Sequence, residues 1–205
     1  MNLSETSSSI SNPNDLRLAR IISTVFHPFL IAPLVFLYLS MEHTDTLRFG
    51  WEVWFITFIA TNVVIGVYVG SMKRRGHTSS IDVPERLKRR RPFAIGVLGY
   101  IGATIALILI HAPVIIIALM AAYAVNTTIA TIINQWWKIS IHGMSLGGSV
   151  VPFLFLYGGY WWSLILVFPL MIYSRVKLRA HTLAQVVAGI AMAFLFTWIQ
   201  LYIWL

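Results

Sequence analysis

The stretch VIIIALMAAYAVNTTIATII, residues 114–133, decides the fold class of this chain. It carries no charged side chain, and its length matches the ~20 residues that a helix needs to cross a bilayer. Further apolar runs cover residues 21–41, 51–72, 93–110, 149–173 and 183–205. We interpret 149–173 as a hairpin of two helices broken at Gly158-Gly159. The sequence therefore predicts an all-α, polytopic transmembrane helical bundle of about seven spans, with six possible.

The composition agrees with this class. Hydrophobic residues make up 58% of the 205 residues and charged residues only 11%, against roughly 25% in an ordinary soluble domain. There is no cysteine, which excludes disulfides, thiolate metal sites and cysteine nucleophiles. Residues 1–16 are polar and lack the order of a signal peptide. We predict a disordered tail over 1–16 and a single transmembrane domain over 17–205.

The positive charge of the chain is distributed unequally. Alternation of the spans places loops 73–92, 134–148 and 174–185 on one face together with the N-terminal tail. That face holds every lysine and arginine except Arg48. The positive-inside rule puts it in the cytoplasm, in a multi-pass protein of the cell membrane. The net charge of +8 then reflects topology and contact with anionic membrane lipids, and we predict no nucleic-acid partner.

The three basic loops carry more functional groups than topology requires. If the third loop is helical, Ser174, His181 and Gln185 share one helix face, with Arg175 beside them. The second loop contains a lysine, a serine and a second histidine, His142. Two histidines among cations predict a site for an anion, with arginine suited to phosphate oxygens. One histidine could attack phosphorus while the other protonates the leaving oxygen.

Acidic residues are scarce near these loops, and none follows Glu85 in the sequence. Magnesium-dependent lipid enzymes need several clustered carboxylates, whereas only Asp82 and Glu85 lie near the predicted site. We therefore predict no metal and no cofactor. His27, which precedes Pro28 in the first span, is interpreted as a structural residue.

The motifs resemble those of the type 2 phosphatidic acid phosphatase superfamily, which shares its site with the vanadium haloperoxidases. The third motif of that family is Ser-Arg, five residues, His, three residues, Asp; here it is Ser174-Arg175, His181 and Gln185. The second motif, Ser-Gly-His, corresponds to residues 140–142. For the first motif, the chain is similar to a divergent membrane branch with Arg-x-x-Arg-x-x-Pro, which residues 86–92 match.

The resemblance implies roles for individual residues. It makes His181 the nucleophile that becomes phosphohistidine, and His142 the general acid toward the leaving alkoxide. Gln185 takes the place of the acid that orients the nucleophile. Gln185 can orient the imidazole of His181 only if its amide oxygen faces the ring. The residues implied to hold the phosphoryl oxygens are Arg86, Arg89, Lys138, Ser140 and Arg175.

The expected function is that of a metal-independent lipid phosphatase. Its substrate would be a prenyl phosphate or diphosphate, phosphatidate or phosphatidylglycerophosphate, with the apolar tail between helices. A non-catalytic lipid-phosphate binding or transport protein remains an alternative. A metal-dependent lipid enzyme is disfavoured by the shortage of acids, and a purely structural protein would leave the paired serine and histidine motifs unexplained.

Overall fold

The computed structural model describes residues 13–205, and this part of the chain is helical, with no strand. Most of the predicted disordered tail lies outside the described residues, while residues 13–16 form the first turn of a helix. The helices are α1 Pro13–Val25, α2 Pro28–His43, α3 Leu47–Phe58, α4 Ile65–Arg74, α5 Arg90–Leu109, α6 Val114–Ile133, α7 Ile141–Tyr157, α8 Val167–Lys177 and α9 Leu183–Trp204. A π-helical segment, Ile59–Val64, joins α3 to α4, and 3₁₀ segments Arg86–Arg89 and Gly159–Leu166 precede α5 and α8.

Five helical stretches are long and apolar enough to cross a membrane. They are Pro13–His43, Leu47–Arg74, Arg86–Leu109, Val114–Ile133 and Leu183–Trp204. The two arms of the predicted hairpin are shorter: α7 has 17 residues, and α8 has 11 after an 8-residue 3₁₀ segment. The prediction of a helical bundle built from membrane-spanning helices is supported, while the count of seven spans is not confirmed.

Two prolines shape the first of these stretches. Pro28 occupies the first position of α2, where a backbone N–H would have no partner within the helix, so its absence loses no hydrogen bond. The helical conformation is interrupted just before Pro28, between α1 and α2. Pro33 lies inside α2 and cannot donate to the carbonyl of Phe29 four residues earlier. The side chain of Asn62, in the π-helical segment, donates to that carbonyl at 2.6 Å instead. Pro33 thus leaves the carbonyl oxygen of Phe29 free to accept a hydrogen bond that joins α2 to the π-helical segment.

The three basic loops meet at one end of the bundle. The side chain of Arg86 donates to the carbonyl of Asn134 at 2.9 Å, which joins the first loop to the second. Lys138 donates to the carbonyl of Ala180 at 2.9 Å, which joins the second loop to the third. The predicted convergence of the loops therefore holds for the described residues.

Helices α7 and α9 approach each other at backbone distance. A methyl group added at Gly143 would lie 2.8 Å from the carbonyl oxygen of Val186, and one at Gly189 would lie 2.6 Å from that of Ser140. A methyl group at Gly147 would overlap the carbonyl oxygen of Ile190. Because the two histidine motifs lie at the starts of α7 and α9, this contact fixes their separation.

Replacing Gly147 with alanine should therefore push α7 away from α9. We expect Gly147→Ala to lower the free energy of unfolding by about 1–3 kcal/mol, the usual cost of overpacking. Thermal unfolding of the protein in detergent measures the change. Gly102→Ala is the matched control, because nothing lies within 4 Å of a methyl group added there. Equal unfolding temperatures for the two variants would contradict the close contact.

Candidate active site

A cavity lies at the basic end of the bundle, between α2, α4, α5, α6, α7 and the segment that joins α8 to α9. Its inner walls are mostly apolar and come mainly from α2, α4, α5 and α6, with Asn126 and Thr127 of α6 among the polar residues that line it. The ionisable side chains of the histidines, arginines and aspartate that line it are gathered at one end. They are His27, Asp82, Arg89, His142, Arg175 and His181.

His181 is held in one tautomer by the first turn of α9. Thr182 caps this helix, and the side-chain oxygen Oε1 of Gln185 accepts a hydrogen bond from the backbone N–H of Thr182 at 3.2 Å. The same oxygen lies 3.1 Å from Nδ1 of His181. Because Oε1 can only accept, Nδ1 carries the ring proton, and Nε2 retains a lone pair. The condition on Gln185, that its oxygen face the ring, is met.

The environment of His181 favours the neutral imidazole. Burial, together with the positive charges of Arg89 and Lys138, lowers the pKa of His181 to about 3. The hydrogen bond to Gln185 opposes this change only in part. A neutral imidazole with a free Nε2 is the form that can act as a nucleophile.

Arg175 faces the cavity from α8 and is almost fully enclosed. It is 4% exposed, and its Nη1 donates to the hydroxyl of Ser23 on α1 at 2.7 Å. Its Nη2 donates to Oδ2 of Asp82 at 3.2 Å. Nη1 also lies 3.5 Å from Nε2 of His142. The guanidinium therefore connects α1, α7 and the loop before α5.

Asp82 is the carboxylate at the centre of these contacts. Its Oδ1 accepts from Nε2 of His27 at 3.1 Å, while Oδ2 accepts from Arg175. Burial by itself would raise the pKa of Asp82, but the hydrogen bond with His27 and the positive charge of Arg175 hold it well below the usual range. The carboxylate is therefore ionised under ordinary conditions.

Arg89 organises the loop that carries Asp82. Its side chain is 2% exposed, and Nε donates to the carbonyl of Val83 at 2.7 Å. Nη1 donates to the carbonyl of Ile139 at 3.1 Å. Of the residues predicted to hold phosphate, Arg89 and Arg175 are the two that line the cavity.

The other three predicted phosphate ligands are engaged with the backbone, as Arg89 is, but they do not line the cavity. Arg86 donates to the carbonyls that follow α6, at Asn134 and Gln135. The hydroxyl of Ser140 caps α7 by accepting from the N–H of Gly143 at 3.2 Å, and the side chain is fully buried. Lys138 bonds to a carbonyl of the third loop, outside the lining of the cavity. In this structure these residues assemble the loops and do not line the cavity.

Two cavity residues, His27 and Asp82, were not among the predicted site residues. His27 also caps α2, because its Nδ1 accepts from the backbone N–H of Phe29 at 3.2 Å, as its structural interpretation implies. Asp82 is separated by 93 residues from Arg175, so no local spacing in the sequence links them. The only available signal was that Asp82 is an acid close to the first motif in a chain with few acids.

His27, Asp82 and His142 together have the composition of a metal site. One ligand atom from each lies within 4.8 Å of the others. However, Nδ1 of His27 accepts from Phe29, so its Nε2 carries the proton that is donated to Asp82. The guanidinium of Arg175 also lies against both Asp82 and His142. The donor atoms of His27 and Asp82 are therefore already used in hydrogen bonds, and a permanent cation stands beside them.

Comparison with protein-family models, curated proteins and solved structures finds no match for this chain. The chemistry of the site is therefore inferred from its own geometry.

The low pKa of His181 makes stability depend on pH. In the unfolded chain an imidazole titrates near pH ~6.5. Between about pH 6.5 and the folded value of about 3, the unfolded state binds a proton that the folded state does not, so stability is lost as pH falls. We expect the unfolding temperature of the wild type to drop more steeply between about pH 7 and about pH 4.5 than that of His181→Gln. The variant His77→Gln, at an exposed histidine, should follow the wild type; equal slopes in all three proteins would contradict the prediction.

Proposed function

We propose that this protein is a metal-independent integral membrane lipid phosphatase that acts through a phosphohistidine on His181. Its substrate class is a phosphate monoester or diphosphate on a long apolar tail. The basic end of the bundle would face the cytoplasm, with seven helical segments alternating in direction across the cell membrane. The orientation rests on the positive-inside rule, and the fold contributes the shared position of the basic loops.

The observation that carries the proposal is the state of His181. Its Nδ1–H is directed at Oε1 of Gln185, and its neutral ring leaves Nε2 for the cavity that Arg175 and His142 also line. Hydrolases that use a histidine nucleophile need this combination of a fixed tautomer, a free lone pair and nearby cations. Spacing in the sequence alone could not have fixed which way the Gln185 amide faces.

The proposed reaction has two steps. In the first, Nε2 of His181 attacks phosphorus, a P–N bond forms, and the P–O bond to the lipid breaks while His142 gives its proton to the leaving alkoxide. In the second, water attacks the phosphohistidine, the P–N bond breaks, and His142 takes the proton of that water. In the unliganded site the guanidinium of Arg175 faces Nε2 of His142 and can only donate, so His142 must take up a proton before the first step. The negative charge of the bound phosphoryl group favours that protonated form.

Charge on the transferring phosphoryl group would be neutralised by fixed cations. Arg175 and Arg89 are held by hydrogen bonds before any ligand arrives, so little reorganisation is needed when charge develops. Such prepositioned cations can serve the part that metal ions play in other phosphoryl-transfer sites.

The apolar part of the cavity suits a lipid tail. From the charged end, the cavity extends along α5 past Phe93 and Gly96 to Tyr100, which stacks edge-on against Tyr123 of α6. Tyr100 lies 10 residues beyond the start of α5 at Arg90, or about 15 Å at the helical rise. A phosphate at the charged end would then place the first part of its tail between α4, α5 and α6.

A non-catalytic binding or transport protein for lipid phosphates is the second candidate. It is favoured by the backbone engagement of Arg86, Lys138 and Ser140, which leaves fewer groups free to hold a transferring phosphoryl group. Both functions would use Arg175, so turnover must discriminate between them.

Turnover can be tested with a panel of prenyl and glycerolipid phosphates in detergent, with and without a strong chelator. We expect phosphate release that persists in the chelator and falls by at least about 10³-fold in His181→Ala, because the nucleophile is lost. Binding of the lipid phosphate should be largely retained by this variant. His77→Ala controls for loss of an exposed imidazole. Absence of release from every lipid would leave only the binding protein. Full activity of His181→Ala would show that His181 is not the nucleophile and would overturn the proposed mechanism.

Gln185 should be required for its acceptor oxygen. Gln185→Met keeps the length of the side chain but removes the acceptor, so the tautomer of His181 is no longer fixed. We expect kcat to fall by about 10²–10⁴, as when an orienting partner is lost in other histidine-dependent enzymes. Gln135→Met, an exposed position in the second loop, is the matched control. A Gln185→Asp variant with higher kcat than the wild type would show that the absence of charge limits the rate.

A further inference from the structure

The site has a carboxylate, but it lies in an unexpected place. The acid that would orient the nucleophile is absent, because Gln185 stands at that position and is uncharged. Among the described residues, Asp82 is the one carboxylate that lines the cavity. Its hydrogen bonds go to Arg175 and His27 and not to His181.

The loop that carries Asp82 is held in a strained conformation. Val83 has a φ of 44°, in the left-handed region that a β-branched residue rarely adopts. Arg89 donates to the carbonyls of both Val83 and Asp82, at 2.7 and 3.4 Å. Strain of this kind persists only where the surroundings impose it, and it is concentrated at functional sites. Here it accompanies a carboxylate directed into the cavity.

The carboxylate holds Arg175 from one side while Ser23 holds it from the other. Oδ2 of Asp82 accepts from Nη2 at 3.2 Å, and the Ser23 hydroxyl accepts from Nη1 at 2.7 Å. The other carboxylate oxygen is fixed by His27, whose own orientation is set by its cap on α2. The guanidinium therefore cannot turn away from His142 without breaking one of these contacts.

From this arrangement we infer that Asp82 is a positioning residue of the active site, which holds the guanidinium of Arg175 beside His142 for the transferring phosphoryl group. The inference rests on the proposed function, and His27 acts with Asp82 by fixing its carboxylate. The site therefore has a negative charge, that of Asp82, but this charge is paired with Arg175 and not with His181.

This role predicts opposite effects on binding and on turnover. Asp82 has the same sign of charge as phosphate, and its Oδ2 lies 3.2 Å from the guanidinium that would bind the phosphate. Its removal should therefore strengthen binding of an anion, because a repulsion disappears. Turnover should fall, because Arg175 loses the partner that sets its position. A residue with a merely structural role would lower stability without separating these two quantities.

The test compares wild type, Asp82→Asn and Asp82→Glu in detergent, with Asp45→Asn as control at an exposed acid of the α2–α3 loop. Binding of inorganic phosphate is measured by titration calorimetry, and kcat with the lipid phosphate that the panel identifies. For Asp82→Asn we expect the phosphate Kd to decrease about threefold to tenfold. Its kcat should fall about tenfold to a hundredfold. Asp82→Glu keeps the charge but displaces it by one methylene, so kcat should fall with the phosphate Kd unchanged.

Each outcome decides the inference. A kcat equal to that of the wild type in Asp82→Glu, or a phosphate Kd that is unchanged or weaker in folded Asp82→Asn, would overturn it. If Asp82→Asn does not fold, Asp82→Glu decides alone. If the wild type binds phosphate but releases none from any lipid, the proposed function fails, and the phosphate Kd of Asp82→Asn still decides whether the carboxylate opposes an anion there. If the wild type binds no phosphate, both the inference and the site are wrong.

Discussion

The pairing of the Arg175 guanidinium is the constraint around which the basic end of this bundle is built. An arginine that is 4% exposed among apolar helices keeps its charge, and an unpaired charge in such surroundings costs several kcal/mol. Its partners come from three other parts of the chain: Ser23 on α1, Asp82 in the loop before α5 and His142 at the start of α7. The contacts of its two terminal nitrogens therefore draw four segments together, and the cavity lies where they meet.

The second constraint is the contact between α7 and α9. Gly143, Gly147 and Gly189 let the two backbones approach each other, so no side chain separates the helices there. Ser140 caps α7 and donates its own backbone N–H to the carbonyl of Gln185 at 3.3 Å. The packed pair of α7 and α9 consequently holds both histidine motifs at a fixed separation. Rigid helices of this kind are the support that a precisely positioned site needs.

Gln185 and Asp82 divide between them two tasks, fixing a histidine tautomer and pairing a buried cation, that a single acid could perform. Gln185 fixes the tautomer of His181 without adding charge, while burial and the neighbouring cations keep the imidazole neutral. Asp82 pairs with Arg175 and His27 and makes no hydrogen bond to His181. Both arrangements follow from the scarcity of acids in a chain whose cavity lies among apolar helices, where each buried charge needs a partner.

The sequence by itself determined the helical membrane class and the shared position of the basic loops, since these depend on apolar length and alternation. It placed His181 and Gln185 on one continuous helix, whereas α8 ends at Lys177 and α9 begins at Leu183, so the two side chains meet through the cap of α9. It also located the break at Gly158-Gly159, where both glycines have positive φ. Only the tertiary structure decided which cations face the cavity. Arg86, Lys138 and Ser140 fit the motifs, yet they bind backbone groups because helix ends and loops leave carbonyls and N–H groups that need partners. Asp82 fits no motif, yet it lies in the site. Its partner Arg175 is distant in the sequence, and only folding brings a carboxylate to a buried guanidinium that cannot remain unpaired.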